Sequence, residues 1–145
     1  MSNNHARFYK NRPLSVLLWI RLIRVVQKIS RNAQGALTEA GLTGPQFDLL
    51  VHIQLTPGVS QKEITQRLKV TKGNVSQLIE KLEQKGLLKR NRQGRNSYLT
   101  LTNDGTYLVE RMLPEHDAFI ENQFSALTSD EQQQLFAILR KLTPE

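Results

Sequence analysis

The chain has 145 residues, enough for one ordinary domain with a buried core, and its composition is that of the soluble globular class. Lys and Arg number 20 against 13 Asp and Glu, a formal charge of +7. The absence of cysteine excludes disulfides, thiol catalysis, thiol-based redox sensing and Cys-ligated zinc. Charge is unevenly spread: residues 1–58 hold seven cations and two anions, 59–101 ten and three, and 102–145 three and eight. A basic middle beside an acidic tail predicts a localised polyanion-binding surface; the plainer reading is a basic, solvated face.

Residues 1–12 are polar and are expected to be poorly ordered without a partner. Arg7, Lys10 and Arg12 precede an apolar run, but no small-residue cleavage site follows, so a signal peptide is not expected. The run is too short and too charged to span a bilayer, and the expected location is cytoplasmic. Pro13 suits a helix start. The apolar residues from Leu14 to Ile29 cover more than half of that helix's circumference. It must bury two faces, one against its own domain and one against a second subunit. It should end near Ala40-Gly41.

Thr43-Gly44-Pro45-Gln46 opens the next helix with a cap, a first-turn proline and a capping-box glutamine. Phe47, Leu50, Val51 and Ile53 form its inner side, and Thr56-Pro57-Gly58 ends it. Ser60-Gln61-Lys62-Glu63 is another capping box, with Ile64 and Leu68 inward. A very short joint at Lys69-Val70 leads to a helix capped by Thr71. Val75, Leu78, Ile79 and Leu82 form one face of that helix; Lys72, Asn74, Ser76, Gln77 and Lys81 form the other. Two helices so tightly joined predict a helix-turn-helix, with the second as its reading helix. Gly86 is its C-cap. The period then changes to two: Leu87–Arg92 and Ser97–Leu101 read as strands around the turn Gln93-Gly94-Arg95-Asn96. Lys89, Arg90, Arg92 and Arg95 place four cations at or near the hairpin tip. Thr102-Asn103-Asp104-Gly105 starts a long helix with Tyr107, Leu108, Met112, Phe119, Ile120 and Phe124 on its apolar side. Pro114 should kink or break it. Thr128-Ser129-Asp130-Glu131 caps a last helix carrying Leu135, Phe136, Ile138, Leu139 and Leu142.

The order predicts a mainly α (α+β) winged helix-turn-helix. Lys72, Asn74, Ser76 and Gln77 should meet bases or phosphates, Gln61 and Lys62 phosphates, and Arg92 and Arg95 a minor groove or phosphates. His5, His52 and His116 have no metal-ligand spacing, and no catalytic constellation is present, so neither an enzyme nor a cofactor is expected.

Thr43-Gly44-Pro45-Gln46-Phe47, Ser60–Ile64, Val75–Leu87, Leu101-Thr102-x-x-Gly105 and Leu127-Thr128-x-x-Glu131 resemble, in order and spacing, the multiple-antibiotic-resistance regulator (MarR) family over about residues 14–143. The resemblance implies a single domain over 1–145. Within it, 43–101 would be a winged-helix DNA-binding lobe, and 14–40 and 102–143 dimerisation helices. It implies a homodimeric, sequence-specific repressor on a pseudo-palindromic double-stranded operator. Thr71, Gly73 and Lys81 complete the expected DNA-binding set. Many relatives are released by small aromatic or anionic effectors; Trp19, Phe47 and Tyr107 lie on elements that would line such a pocket, the alternative being ordinary core aromatics. Two departures stand out. The family's wing Asp-x-Arg is Gln93-Gly94-Arg95 here, so the arginine lacks its carboxylate. Gln77 replaces a frequent arginine, which leans recognition toward A·T. The alternative function is a winged-helix interaction or architectural module without a specific operator.

Overall fold

The computed structural model describes residues 11–68 and 72–143. The expectations for the N-terminal arm up to residue 10, the Lys69-Val70 joint and the Thr71 cap lie outside those residues. Nine elements follow: α1 (Leu14–Glu39), α2 (Gly44–Leu55), β1 (Val59–Ser60), α3 (Gln61–Leu68), α4 (Lys72–Gln84), β2 (Leu88–Gln93), β3 (Asn96–Leu101), α5 (Asn103–Gln123) and α6 (Ser129–Leu142). The predicted mainly α winged helix-turn-helix is thus the observed architecture.

Local chemistry sets the boundaries. Gly41, at φ +71°, ends α1: its N–H bonds Thr38 O and the N–H of Leu42 bonds Leu37 O, using carbonyls that the helix leaves over. Thr43 and Gln46 form the expected reciprocal capping box on α2, and Thr128 with Glu131 does the same for α6. Gly86, at φ +71°, closes α4 in the same way as Gly41 closes α1.

Helix α2 lies at the centre, touched by α1, α4, α5 and β3. Encirclement explains why Leu49 is buried along with Phe47, Leu50 and Ile53, a burial the one-sided stripe did not foresee. Ile64 of α3, Val75, Ile79 and Leu82 of α4, Leu88 and Leu99 of the hairpin, and Val109 and Met112 of α5 complete the core. The sheet order is β1-β3-β2, all antiparallel. The two-residue β1, unforeseen in sequence, pairs Val59 with Leu99 and Ser60 with Tyr98. That pairing pins the start of α3 beside the wing.

Three expectations are corrected. Of the expected kink or break at Pro114, the break does not occur: α5 continues from Asn103 to Gln123. Pro114 is exposed, so its ring occupies the solvent side. Tyr107 is on the outside of α5, 66% exposed, and the apolar side of that helix runs through Val109 and Met112. Lys89 and Arg90 belong to the hairpin base, near Leu88 and its partner Leu101, and the tip keeps Arg92 and Arg95.

Where the hairpin meets α5, the Leu87 carbonyl accepts from Thr102 N (3.1 Å), Thr102 Oγ1 donates to Gly86 O (2.6 Å), and Gly105 N donates to Thr102 Oγ1 (3.1 Å). A Cβ on Gly105 would sit 1.9 Å from Leu87 O, a backbone atom that cannot swing away. Gly105→Ala should therefore cost about 1–3 kcal/mol, as overpacking does. Gly35→Ala, inside α1 toward its C-terminal end with nothing within 4 Å, should gain up to about 1 kcal/mol. Urea unfolding of both variants checks the pair; a Gly105→Ala midpoint equal to wild type would contradict the junction.

Candidate nucleic-acid interface

The inner face of α4 is apolar and closed: Val75, Ile79 and Leu82 are fully buried. Its outer face presents Gly73, Asn74, Gln77 and Lys81, all exposed. Asn74, Gln77 and Lys81, at i, i+3 and i+7, form one stripe along the helix. Lys72 opens the helix.

Ser76 is half-buried and sits on the flank of α4, where its Oγ accepts a hydrogen bond from Gln61 Nε2 at 2.9 Å. Gln61 is the first residue of α3, so this bond ties the two helices of the motif together near their N-terminal ends. The cap of α3 holds Gln61 in place. Ser60 N and Oγ both donate to Glu63 Oε2, at 2.9 and 2.8 Å, and Glu63 N donates back to Ser60 Oγ at 3.2 Å. These donors, the backbone N–H foremost, hold the Glu63 carboxyl below the usual carboxylate range. A lowered carboxylate stabilises the fold above its ordinary pKa and loses that effect as pH falls through the lowered value, so this cap is complete at neutral pH.

A groove of about 480 Å³ lies between the start of α3 and the wing tip. Gln61 and Lys62 line one wall and Arg95 the other, and Thr65, Gln66, Asn96 and Ser97 add polar groups. The structure thus brings three of the predicted residues to one place. β1 is the reason, because it docks the α3 N-terminus onto β3. Arg92 is exposed on the neighbouring strand, directly across from Ser97. Of the lining residues that sequence reasoning missed, only Ser60 carried a signal, as the capping-box serine. The wing tip is a two-residue turn, Gly94-Arg95, with Gly94 at φ +61°; this conformation suits glycine and matches the strand twist of a tight hairpin.

The wing is fixed at its base. Arg90 NH2 lies 2.5 Å from Glu83 Oε2 and its Nε 3.4 Å from Oε1, a forked contact between β2 and the reading helix. Both side chains are less than one-third exposed. Lys81 lies apart from the first groove. It lines a second one with Lys85, the end of α1 and the start of α2.

The three aromatic residues expected around an effector do not meet within the chain. Phe47 is 1% exposed, in the core, with its ring 5.0 Å from that of His116. Helices α1 and α5 run antiparallel: Asn32 bonds Gln123, and Leu37 and Met112 share a small cavity. At ~1.5 Å per residue, that register puts Trp19 and Tyr107 on the order of 40 Å apart along the helix pair.

Comparison with known proteins agrees with this architecture. The MarR family model matches residues 40–96. An HTH-type transcriptional regulator of Bacillus cereus is 30% identical over 134 residues, covering 92% of this chain and 91% of the relative. Among solved structures, a mutant MarR of Escherichia coli complexed with operator DNA superposes with a TM-score of 0.81 at 25% identity, covering 90% of this chain and 96% of that one. The MepR–DNA complex of Staphylococcus aureus gives 0.78 at 27% identity, covering 86% and 93%. Among the described residues no helix is long and apolar enough to cross a membrane.

The Arg90–Glu83 fork should behave as a partly buried, charge-assisted pair. Glu83→Gln and Arg90→Lys should each lower stability by about 1–2 kcal/mol, with a coupling near 1 kcal/mol in the double-mutant cycle. Strictly additive unfolding free energies would show that the wing base is held by packing alone.

Proposed function

The chain belongs to the MarR family of winged-helix transcription regulators, and from this premise we propose that it binds a pseudo-palindromic double-stranded operator as a homodimer and represses transcription there. The observation that carries the reading is the exposed stripe Asn74-Gln77-Lys81 on a helix whose other face is sealed in the core, beside a groove holding Lys62 and Arg95. A helix presented in this way can enter a major groove, and cations beside it can follow the phosphates. Two structural relatives, from E. coli and S. aureus, are complexes with DNA, which supports the same use of this fold. Gly73, Asn74 and Gln77 then meet base edges. Ser76 and Gln61 hold the two helices in register. Lys62, Lys81, Arg92 and Arg95 meet phosphates or the minor groove. The lobe is 43–101, and 14–40 with 102–143 forms the dimer. Activity at a cytoplasmic operator follows from this role.

The dimer is supported by apolar surface that the chain itself does not cover. Leu14, Leu18, Trp19, Val25 and Val26 of α1 and Phe136, Ile138 and Leu142 of α6 are between 41% and 72% exposed. Burying eight such side chains would contribute on the order of 10 kcal/mol before the cost of association. A partner copy supplies the second face that α1 needs. Release by a small effector belongs to the same reading.

Selection of bound sequences from random DNA tests the proposal. The expected result is a two-fold symmetric site with half-sites about 10 bp apart. Sedimentation at micromolar concentration should give twice the chain mass. A single half-site bound by a folded monomer would defeat the dimeric model, and the absence of any enriched sequence would favour an architectural module.

The two reading elements should separate in mutants. Gln77→Ala should cost roughly 1–3 kcal/mol on the selected site and little on scrambled DNA, because a bidentate amide–adenine pair is sequence-specific. Arg95→Ala should weaken both alike and reduce the slope of log affinity against log salt by about one unit. A salt titration of the three proteins on both DNAs decides. Equal losses for Gln77→Ala on the two DNAs would remove α4 as the specificity element.

A further inference from the structure

Gln61 reaches from the first groove to the reading helix. Its backbone is fixed from both sides. It follows Ser60, which pairs with Tyr98 in the sheet and caps α3 together with Glu63, and its own carbonyl accepts from Thr65 Oγ1 at 2.7 Å. From this anchored position Nε2 donates to Ser76 Oγ at 2.9 Å. Both side chains are half-buried, so the bond is partly shielded from water. This orientation leaves the amide oxygen for the groove, where the lining includes Lys62 and Arg95, cations that favour an oxygen over an N–H.

A serine hydroxyl has one hydrogen to donate and two lone pairs with which to accept. Accepting from Gln61 uses one lone pair and turns the Ser76 hydrogen away from α3. Among the described residues no acceptor takes that hydrogen. Ser76 lies one turn into α4, between the buried Val75 and Gln77 of the exposed stripe. This is the part of a reading helix that meets base edges. The second lone pair stays available. Accepting through it would leave the hydrogen unpaired in a dry interface, a cost that donation avoids.

We propose that Gln61 is a positioning residue that sets the polarity of Ser76, so that the hydroxyl reads one base of the operator as a hydrogen-bond donor. In the major groove adenine N7, guanine N7 and O6, and thymine O4 accept a hydrogen, whereas cytosine offers only its N4 amino group. The hydroxyl therefore discriminates against cytosine at that position. This role goes beyond holding α3 and α4 in register, and it rests on the DNA-binding reading.

The test measures the affinity of the full chain for a selected operator and for versions carrying each other base pair at every half-site position. Wild type should show one position at which cytosine is disfavoured about tenfold against the other bases. Ser76→Ala should remove that discrimination and leave the remaining positions as they are. Gln61→Glu places an acceptor where the donor stood. The hydroxyl hydrogen then goes to the carboxylate and the lone pairs face DNA, so cytosine should become the favoured base at the same position. The added negative charge lowers affinity for all sequences alike, so the ratio between bases is the readout. Ser76→Ala in the Gln61→Glu background should abolish the reversed preference. An unchanged base ratio in Gln61→Glu, with affinity lowered by one factor on every DNA, makes Gln61 a structural tie only and overturns the proposal. Retention of the discrimination in Ser76→Ala overturns it equally, and that variant decides should Gln61→Glu fail to fold. Wild type that selects no sequence overturns the DNA-binding reading itself, a result distinct from specific binding in which neither variant moves a base ratio.

Discussion

The Leu87 carbonyl is the point on which the arrangement of the reading elements depends. It receives the N–H of Thr102 and lies against the bare Cα of Gly105, just after the α4 C-cap at Gly86. Three elements are joined there: the end of α4, the base of the wing and the first turn of α5. Thr102 serves all three, since its hydroxyl donates to Gly86 O and accepts from Gly105 N while its own N–H closes the hairpin. A side chain at 105 would push α5 away from the hairpin and open the core where Leu88, Leu99 and Val109 close it. The Leu-Thr-x-x-Gly spacing therefore has a steric reason independent of any family.

From this junction outward the wing is held at its root. The Arg90–Glu83 fork links β2 to the last turns of α4, and Leu88 and Leu99 anchor the same end in the core. Toward the tip, Arg92 and Arg95 are solvent-exposed, and Gln93 ends β2 beside the turn without bringing a carboxylate to Arg95. A rigid root with a less constrained tip suits contacts that follow phosphates, because such contacts depend on charge more than on fixed hydrogen-bond geometry. Base reading needs the reverse. The stripe on α4 sits on a helix whose opposite face is locked by Val75, Ile79 and Leu82.

What the sequence made legible was local. Caps, glycine stops and apolar periods mark the ends of α2 and α6 and the stops of α1 and α4, since each depends on residues within four positions of one another. The two-residue β1 has too few residues to carry a period, and it exists because Val59 finds Leu99 some forty positions away. The Gln61–Ser76 bond, the Arg90–Glu83 fork and the first groove are likewise products of tertiary placement. Pro114 does not break α5 for a related reason: sequence states its missing donor, and the fold decides whether its ring meets solvent or a neighbour. Within one chain the aromatic trio is spread out. Trp19, Phe47 and Tyr107 occupy the expected helices, but the antiparallel register of α1 and α5 sends two of them to opposite ends.

Helix α4 thus lies between two polar grooves of different character. On the first, the Gln61–Ser76 bond and the Glu63 cap fix the N-terminal half of the motif through neutral or internally matched groups, leaving Lys62 and Arg95 as the outward charges. On the second, among the described residues, Lys81 and Lys85 meet no acid, and Lys85 contacts the Gly41 carbonyl. Packing explains the first groove's groups almost completely. In the second, the Gln46 oxygen is committed to the cap of α2 and its amide nitrogen reaches solvent. Gly41 and Leu42 end α1, Thr43 and Gln46 begin α2, and Lys81 and Lys85 close α4, so this corner joins the helix with five exposed apolar side chains to the reading helix.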